Sequence, residues 1–347
     1  MNSRTQNRAA TAAAVAPLSF GIVGPGSIAG VFAASLVASG AGRVTAVAGR
    51  SPEHAAPFAG RLGARALALD ELLGQVDALY VATPHPLHAA AVRAALAARV
   101  PVLCEKPLTT DPAETAELFA LAERQDTPLV EAWMYRAHPQ IARLAALVGS
   151  GAIGRVRHVE SWFEFALPFD PRHRLYAPEL AGGAILDVGG YPVSLALLVA
   201  GAAGDTSEPR LANVVRRRAP TGVDAQSSAR LVFEGGLLAD VHCAVDDERG
   251  RGAIVRGDGG FVALHDPFFP GGDRHGRRAT LTVESRGHVH TEHLDAPHDC
   301  YALEALTFAR LVADHRAGTR PATLPAPFVT PADSQRLARL CARWLAD

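Results

Sequence analysis

Lys106 is the single lysine among thirty-four lysines and arginines. Elsewhere the chain uses arginine, a wide planar guanidinium that does not give up its proton. A compact ammonium kept once is a candidate for a task arginine cannot do, which is to place a small positive charge at one point and shift a neighbour's pKa. It stands in Glu105-Lys106-Pro107, directly after the apolar run 102–104. An exposed Glu–Lys pair before a loop proline is the plainer reading. A Walker A loop is excluded, because Glu105 rather than glycine precedes the lysine.

Gly182-Gly183 opens a second dense motif that carries Asp187 and Tyr191. On a helix starting near Ala184, residues four apart share a face. A carboxylate and a phenol there form a candidate acid/base pair. A buried Asp–Tyr hydrogen bond accounts for the spacing equally well. The third motif, Gly24-Pro25-Gly26-Ser27-Ile28-Ala29, fits the dinucleotide fingerprint G-x-G-x-x-A. Its glycines let a backbone approach a pyrophosphate that rests on a helix N-terminus. At the end of the next apolar run stand Arg50 and Ser51, where NAD-specific folds place a carboxylate for the ribose hydroxyls. A guanidinium and a hydroxyl suit a 2′-phosphate, so NADP is favoured over NAD.

Such groups need elements to hold them. Apolar runs at 18–23, 44–48, 78–82, 102–104 and 129–132 alternate with helical stretches at 28–39, 69–73, 88–98 and 112–125. Continuous apolar strands between helices predict a parallel sheet covered on both faces. The rhythm then changes to longer runs at 155–165, 211–218, 227–233, 237–245, 253–256 and 280–284, with turn glycines between them. In 239–245, Ala239, Val241, Cys243 and Val245 alternate with Asp240 and His242, which predicts a half-exposed antiparallel strand. Two helices are expected at 299–316 and 331–345. The expected fold class is α/β: an N-terminal Rossmann parallel sheet plus a C-terminal α/β domain with a large, mostly antiparallel open sheet. Residues 1–17 are expected as a flexible arm, 18–135 as the dinucleotide-binding domain, and 136–347 as a substrate-binding and oligomerisation domain that includes the C-terminal helices.

Composition narrows the partners. A net charge of −1 argues against nucleic acid, and the apolar runs are read as too short for a membrane span. Four scattered cysteines without C-x-x-C point away from a disulfide scaffold or zinc site and toward the cytoplasm. His288 and His290 share a strand face with Glu292, yet no third and fourth ligand is evident, so no metal is expected. The open sheet suggests a homodimer or higher homo-oligomer.

Taken together, the G-x-G-x-x-A turn, Glu105-Lys106-Pro107 and Gly183…Asp187…Tyr191 resemble the Gfo/Idh/MocA oxidoreductases. The run Glu131–Arg136, the tripeptide His138-Pro139-Gln140, Arg174 and Tyr191 are similar to the dihydrodiol dehydrogenase and NADP-linked xylose dehydrogenase branch. The resemblance covers nearly the whole chain. It implies a nicotinamide cofactor at Gly24, Gly26, Ser27 and Ile28, with Arg50 and Ser51 at the adenosine ribose. Thr83, Pro84 and His88 match a family loop in which His85 replaces a common Asn. By the same matching Glu105 and Lys106 lie beside the nicotinamide ribose, Trp133 and Arg136 add cofactor contacts, and the Lys106–Pro107 bond is cis. Asp187 orients substrate hydroxyls, Tyr191 exchanges the proton, and Trp162, Phe163, His173 and Arg174 wall the substrate pocket.

The implied function is NADP-dependent hydride transfer to or from a carbinol carbon of a sugar-like ring, with a small polyol or sugar as partner. Alternatives are a trans-dihydrodiol dehydrogenase, an NAD-assisted glycoside hydrolase and a non-catalytic nucleotide sensor. A free tyrosine has a pKa near 10, too high to serve as a good base at pH 7, where it stays protonated. Lys106 is therefore expected to lower the pKa of Tyr191. For the cofactor, Arg50→Asp should reverse preference from NADP⁺ to NAD⁺ in binding titrations; a wild type that already binds NAD⁺ better contradicts this reading.

Overall fold

A computed structural model of the chain describes residues 16–319 and 328–347, so the arm expected over 1–17 lies, up to residue 15, outside the described residues. The short apolar runs become the largely buried strands β1 (Leu18–Val23), β2 (Gly42–Ala48), β4 (Ala78–Val81), β5 (Val102–Glu105) and β6 (Leu129–Ala132), and a two-residue edge strand, β3 (Arg65–Ala66), with Arg65 exposed, joins them. Helices α1 (Ser27–Ser39), α2 (Pro52–Leu62), α3 (Leu69–Leu73), α4 (His88–Ala97) and α5 (Pro112–Arg124) connect them. All six strands pair in parallel, in the order β3-β2-β1-β4-β5-β6. The chain runs outward from β1 through β2 to β3, then returns to β4 on the other side of β1. That reversal opens a crevice beyond the carboxyl ends of β1 and β4, where such sheets bind ligands.

After α6 (Pro139–Gly149) come β7 (Val156–Ala166), a π-helical turn (Ile185–Gly189) and α7 (Gly190–Ala202). Strands β8 (Arg210–Arg218), β9 (Asp224–Val232), β10 (Leu238–Ala244), β11 (Asp246–Gly257), β12 (Gly260–His265), β13 (Arg278–Ser285) and β14 (His288–Asp295) follow. With β7 they make an eight-stranded sheet, β14-β13-β12-β11-β7-β10-β9-β8. The expected alternation on β10 holds: Ala239, Val241 and Cys243 are buried, while Asp240 and His242 are half-buried. Its pairing is mixed rather than antiparallel throughout. β10 is antiparallel to β9 but parallel to β7. Side-chain alternation reports which face is buried, not the direction of the neighbour.

Helices α2 and α6 and strands β3 and β12 go beyond the sequence expectation. The expectation about apolar runs also needs correction. Pro178–Ala202 is continuous enough in helical structure, and apolar enough, to match a membrane span in length. Its most apolar stretch is 89% buried, because α7 is the central helix packed on the second sheet. The C-terminal helices divide between the domains. α8 (Cys300–Arg316) packs on α1, with Phe308 6.2 Å from the Phe20 ring in the Rossmann core. α9 (Pro331–Ala346) buries Trp344 in the core of the second domain.

Two glycines are required by geometry. Gly24 has φ +94°, and a Cβ there would meet the backbone of Ala82 and Thr83 at 2.6 Å. Gly183 has φ +114°, and its Cβ would collide with the Asp224 carboxylate. That carboxylate accepts the Ile185 N–H at 2.7 Å, which fixes where the π-helical turn begins and so where Asp187 stands.

Candidate active site

Lys106 leaves the carboxyl end of β5 through a cis bond to Pro107, as the resemblance implies. Its ammonium donates to the Asp187 carbonyl oxygen at 2.6 Å and lies 3.9 Å from the Asp187 Oδ1. The first domain thus supplies the cation and the second the anion. Arg174 donates to the same Oδ1 at 3.0 Å from the loop after β7. Burial alone would raise the Asp187 carboxyl, but the Lys106 ammonium and the Arg174 guanidinium outweigh it and bring its pKa to about 2. The carboxylate is therefore ionised at any ordinary pH and can only accept hydrogen bonds.

Tyr191 is treated in the opposite way. Its ring is enclosed by Trp133, Tyr135, Phe163 and Phe268, with centroids 5.1 to 5.7 Å away. Burial pushes the phenol well above its ordinary value, and Tyr301, Glu105 and Asp187 add to the rise. This overturns the expectation that Lys106 lowers it. The ammonium sits over the ring face, 5.1 Å from the centroid, and its hydrogen bond goes to Asp187. The hydroxyl donates to the Met134 Sδ at 3.7 Å, a weak acceptor. In this arrangement Tyr191 is a protonated phenol whose O–H has only a weak partner and is available to donate to a substrate oxygen.

Both side chains open on a cavity of about 800 Å³ at the crevice between the domains. Gly26, Ser27 and Ile28 line one end, at the start of α1. No side chain caps that helix and no acid occupies its first turn, so its N–H groups are available to an anion. Thr83, Pro84, His85, His88, Glu105 and Lys106 line the first-domain wall; Phe163, His173, Arg174, Asp187 and Tyr191 line the other. Arg50 and Ser51 follow β2 beside the glycine turn, where Gly24 N–H donates to the Ala48 carbonyl at 3.0 Å. The Ser51 hydroxyl accepts from His54 N–H and caps α2.

Several expected residues stand elsewhere. Trp162 is not at this cavity. It lies on the opposite sheet face, beneath the Arg249 guanidinium at 4.3 Å, because neighbouring residues on a strand point to opposite faces. Trp133 is buried behind Tyr191, and Arg136 is buried behind Tyr135, so neither lines the cavity. His88 is fully buried: its Nδ1 meets the Pro107 carbonyl at 2.9 Å and its Nε2 the Thr83 carbonyl at 2.8 Å. It ties together two loops that flank the crevice. Glu105 accepts from the Tyr80 hydroxyl at 2.5 Å. The cavity also takes in Tyr301 of α8, Phe269 and Arg274. No local motif marks these three; they reach the site only through long-range packing. Among the described residues no cluster of His, Cys, Asp and Glu is arranged to hold a metal.

Known proteins fit this geometry. Residues 18–132 match the model of an oxidoreductase family with an NAD-binding Rossmann fold, and residues 141–263 match the GFO/IDH/MocA C-terminal domain. The chain is 36% identical over 300 residues to D-xylose 1-dehydrogenase (NADP(+)) 2 of Haloferax volcanii, covering 84% of this chain and 88% of that one. It is 34% identical to a trans-1,2-dihydrobenzene-1,2-diol dehydrogenase of Mus musculus, covering 73% and 76%. A 3-ketoreductase from Actinomadura kijaniata, crystallised with NADP and TDP-benzene, superposes with TM-score 0.81 at 30% identity, covering 94% of this chain and 96% of that one.

The Asp187 shift has a consequence for stability. The folded pKa lies below the unfolded one, so the carboxylate stabilises the fold above the unfolded value and ceases to as pH falls through the folded value. Asp187→Asn should cost about 1–3 kcal/mol at pH 7, the scale set by holding this carboxyl at about 2 rather than at its unfolded value. The gap between variant and wild type should narrow below about pH 4 in denaturant titrations. A gap that is constant with pH contradicts the ion-pair account.

Proposed function

The chain belongs to the Gfo/Idh/MocA oxidoreductase family, and we propose that it is an NADP-dependent oxidoreductase acting on a carbinol carbon of a sugar-like ring, with an aldose as leading substrate. One observation carries this reading: an ammonium, an ionised carboxylate and a protonated phenol converge on one cavity beside an uncapped helix N-terminus. The cofactor fits the chain's own residues. The open N-terminus of α1 with Gly24 and Gly26 suits a pyrophosphate, and Arg50 suits a 2′-phosphate.

When bound, NADP supplies the hydride acceptor or donor. The protein supplies position and protons. Asp187 accepts hydrogen bonds from substrate hydroxyls. In the reducing direction Tyr191 gives its proton to the carbonyl oxygen as that oxygen becomes a hydroxyl. In the oxidising direction the phenol must first lose its proton, so oxidation is favoured by alkaline pH. Lys106 holds the Asp187 turn against β5 and places positive charge where oxygen gains negative charge.

Phe163, Phe165 and Phe269 on the cavity wall favour a trans-dihydrodiol as the second reading, since the apolar diene face of such a ring packs well on them. We place the protein in the cytoplasm, consistent with four buried free cysteines. We also propose a homodimer through the outer face of the second sheet, where Trp162 and Arg249 lie; light scattering at micromolar concentration tests this.

With NADP⁺ and a panel of aldoses and diols, the nicotinamide absorbance should rise for at least one aldose. Lys106→Arg and Tyr191→Phe should each lower kcat by roughly 10²-fold, and the double variant by little more, because the residues act as a unit. NADP⁺ binding should change much less. Near-wild-type kcat in Lys106→Arg reduces the lysine to a structural tie between the domains, and product release without net NADPH supports the hydrolase instead.

A further inference from the structure

His85 is a cavity residue that the Lys106, Asp187 and Tyr191 scheme does not use. It begins the short 3₁₀ turn His85–Leu87 after β4, and its side chain is nine-tenths buried. Its Nδ1 is wholly buried and has no hydrogen-bond partner among the described residues. Its neighbour His88, 5.9 Å away and edge-on, has both nitrogens packed against backbone carbonyls, to one of which its N–H donates. The two imidazoles therefore differ in kind. One is spent holding loops together, and the other is left with an unmet polar atom in a cavity wall.

A buried imidazole nitrogen with no partner costs stability unless something in the working state meets it. The groups acting on it are Lys106, Asp187, His88 and Arg174. Burial, followed by Lys106, brings its pKa down to about 3, so the ring is neutral. A neutral imidazole has one donor and one acceptor nitrogen. Asp187 can only accept and Lys106 can only donate. A neutral His85 ring can present either a donor or an acceptor nitrogen to the cavity, according to its tautomer, which suits a sugar hydroxyl able to play either part.

We infer that His85 is a substrate-binding residue: its ring, lining the cavity beside Lys106 and Asp187, takes a hydroxyl of the polyhydroxylated ring and thereby selects for a hydroxyl at that position. The inference rests on the sugar reading of the site. It adds a contact from the first domain to those Asp187 makes from the second, so a sugar is gripped from both sides of the crevice.

The test uses the full-length enzyme saturated with NADP⁺ and the aldose that the panel identifies. His85→Ala should raise KM for that sugar about tenfold or more, the scale of a lost polar contact in a site built for a hydroxyl, with much less change in kcat. The NADP⁺ dissociation constant, read from protein fluorescence, should stay within about twofold, since the glycine turn and Arg50 are untouched. One monodeoxy analogue of the sugar should show no further penalty in the variant, which identifies the hydroxyl. His85→Asn, which keeps a donor and an acceptor, should recover much of the loss. An unchanged KM overturns the inference. So does a weakened NADP⁺ affinity that accounts for the whole loss in kcat/KM, because the contact would then be to the cofactor. A lower Tm in His85→Ala with KM unaltered assigns the ring to packing and also overturns it. A wild type that turns over no sugar overturns the proposed function itself, and this inference with it.

Discussion

The site depends on one hydrogen bond across the crevice, from the Lys106 ammonium to the carbonyl oxygen of Asp187. A parallel sheet can present side chains to a ligand only beyond the carboxyl ends of its strands, and β5 ends at Glu105. The second domain must bring its polar groups to that point. It does so with a π-helical turn, whose start is set by Asp224 and by the absence of a side chain at Gly183. π-turns are rare and concentrate at functional sites, where an altered helical register re-aims a side chain. Here the turn places a carbonyl and a carboxylate of the same residue toward one ammonium. Arginine could carry the charge, but its planar fork could not occupy that point.

The surroundings then separate the ionisation of groups that share one cavity. Asp187 gains two cations and is held ionised. Tyr191 gains an aromatic enclosure and is held protonated. His85 is buried beside Lys106 and is held neutral. Pairs of titratable groups pushed apart in this way mark acid and base roles. The expectation from sequence was that the lysine would make a phenolate. The packing makes the phenol a proton donor instead, because its oxygen faces a thioether while the ammonium is engaged elsewhere.

Much of this was legible in the residues. The glycine turn, the lone lysine and the Asp187–Tyr191 spacing each follow from local chemistry, and the three meet at one cavity, with a π-helical turn where the spacing implied a regular helix. Residues whose role depends on distant partners were not legible. Trp162 and Phe163 are adjacent and both aromatic, and only the pairing of β7 decides which faces the cavity. Tyr301 reaches the site because α8 returns to pack on α1, a choice made by the fit of Phe308 against Phe20 rather than by a cap or motif. The parallel pairing of β7 with β10 is likewise set by strand order in space.

The account rests most on a phenol kept protonated next to an ionised carboxylate. Tyrosine-ring carbon NMR across a pH titration reads this directly, with the Tyr191 signal identified by its loss in Tyr191→Phe. The account predicts that this resonance keeps its protonated shift through about pH 10, the ordinary tyrosine value. A resonance that titrates near neutral pH would show a phenolate poised by Lys106 and would contradict it.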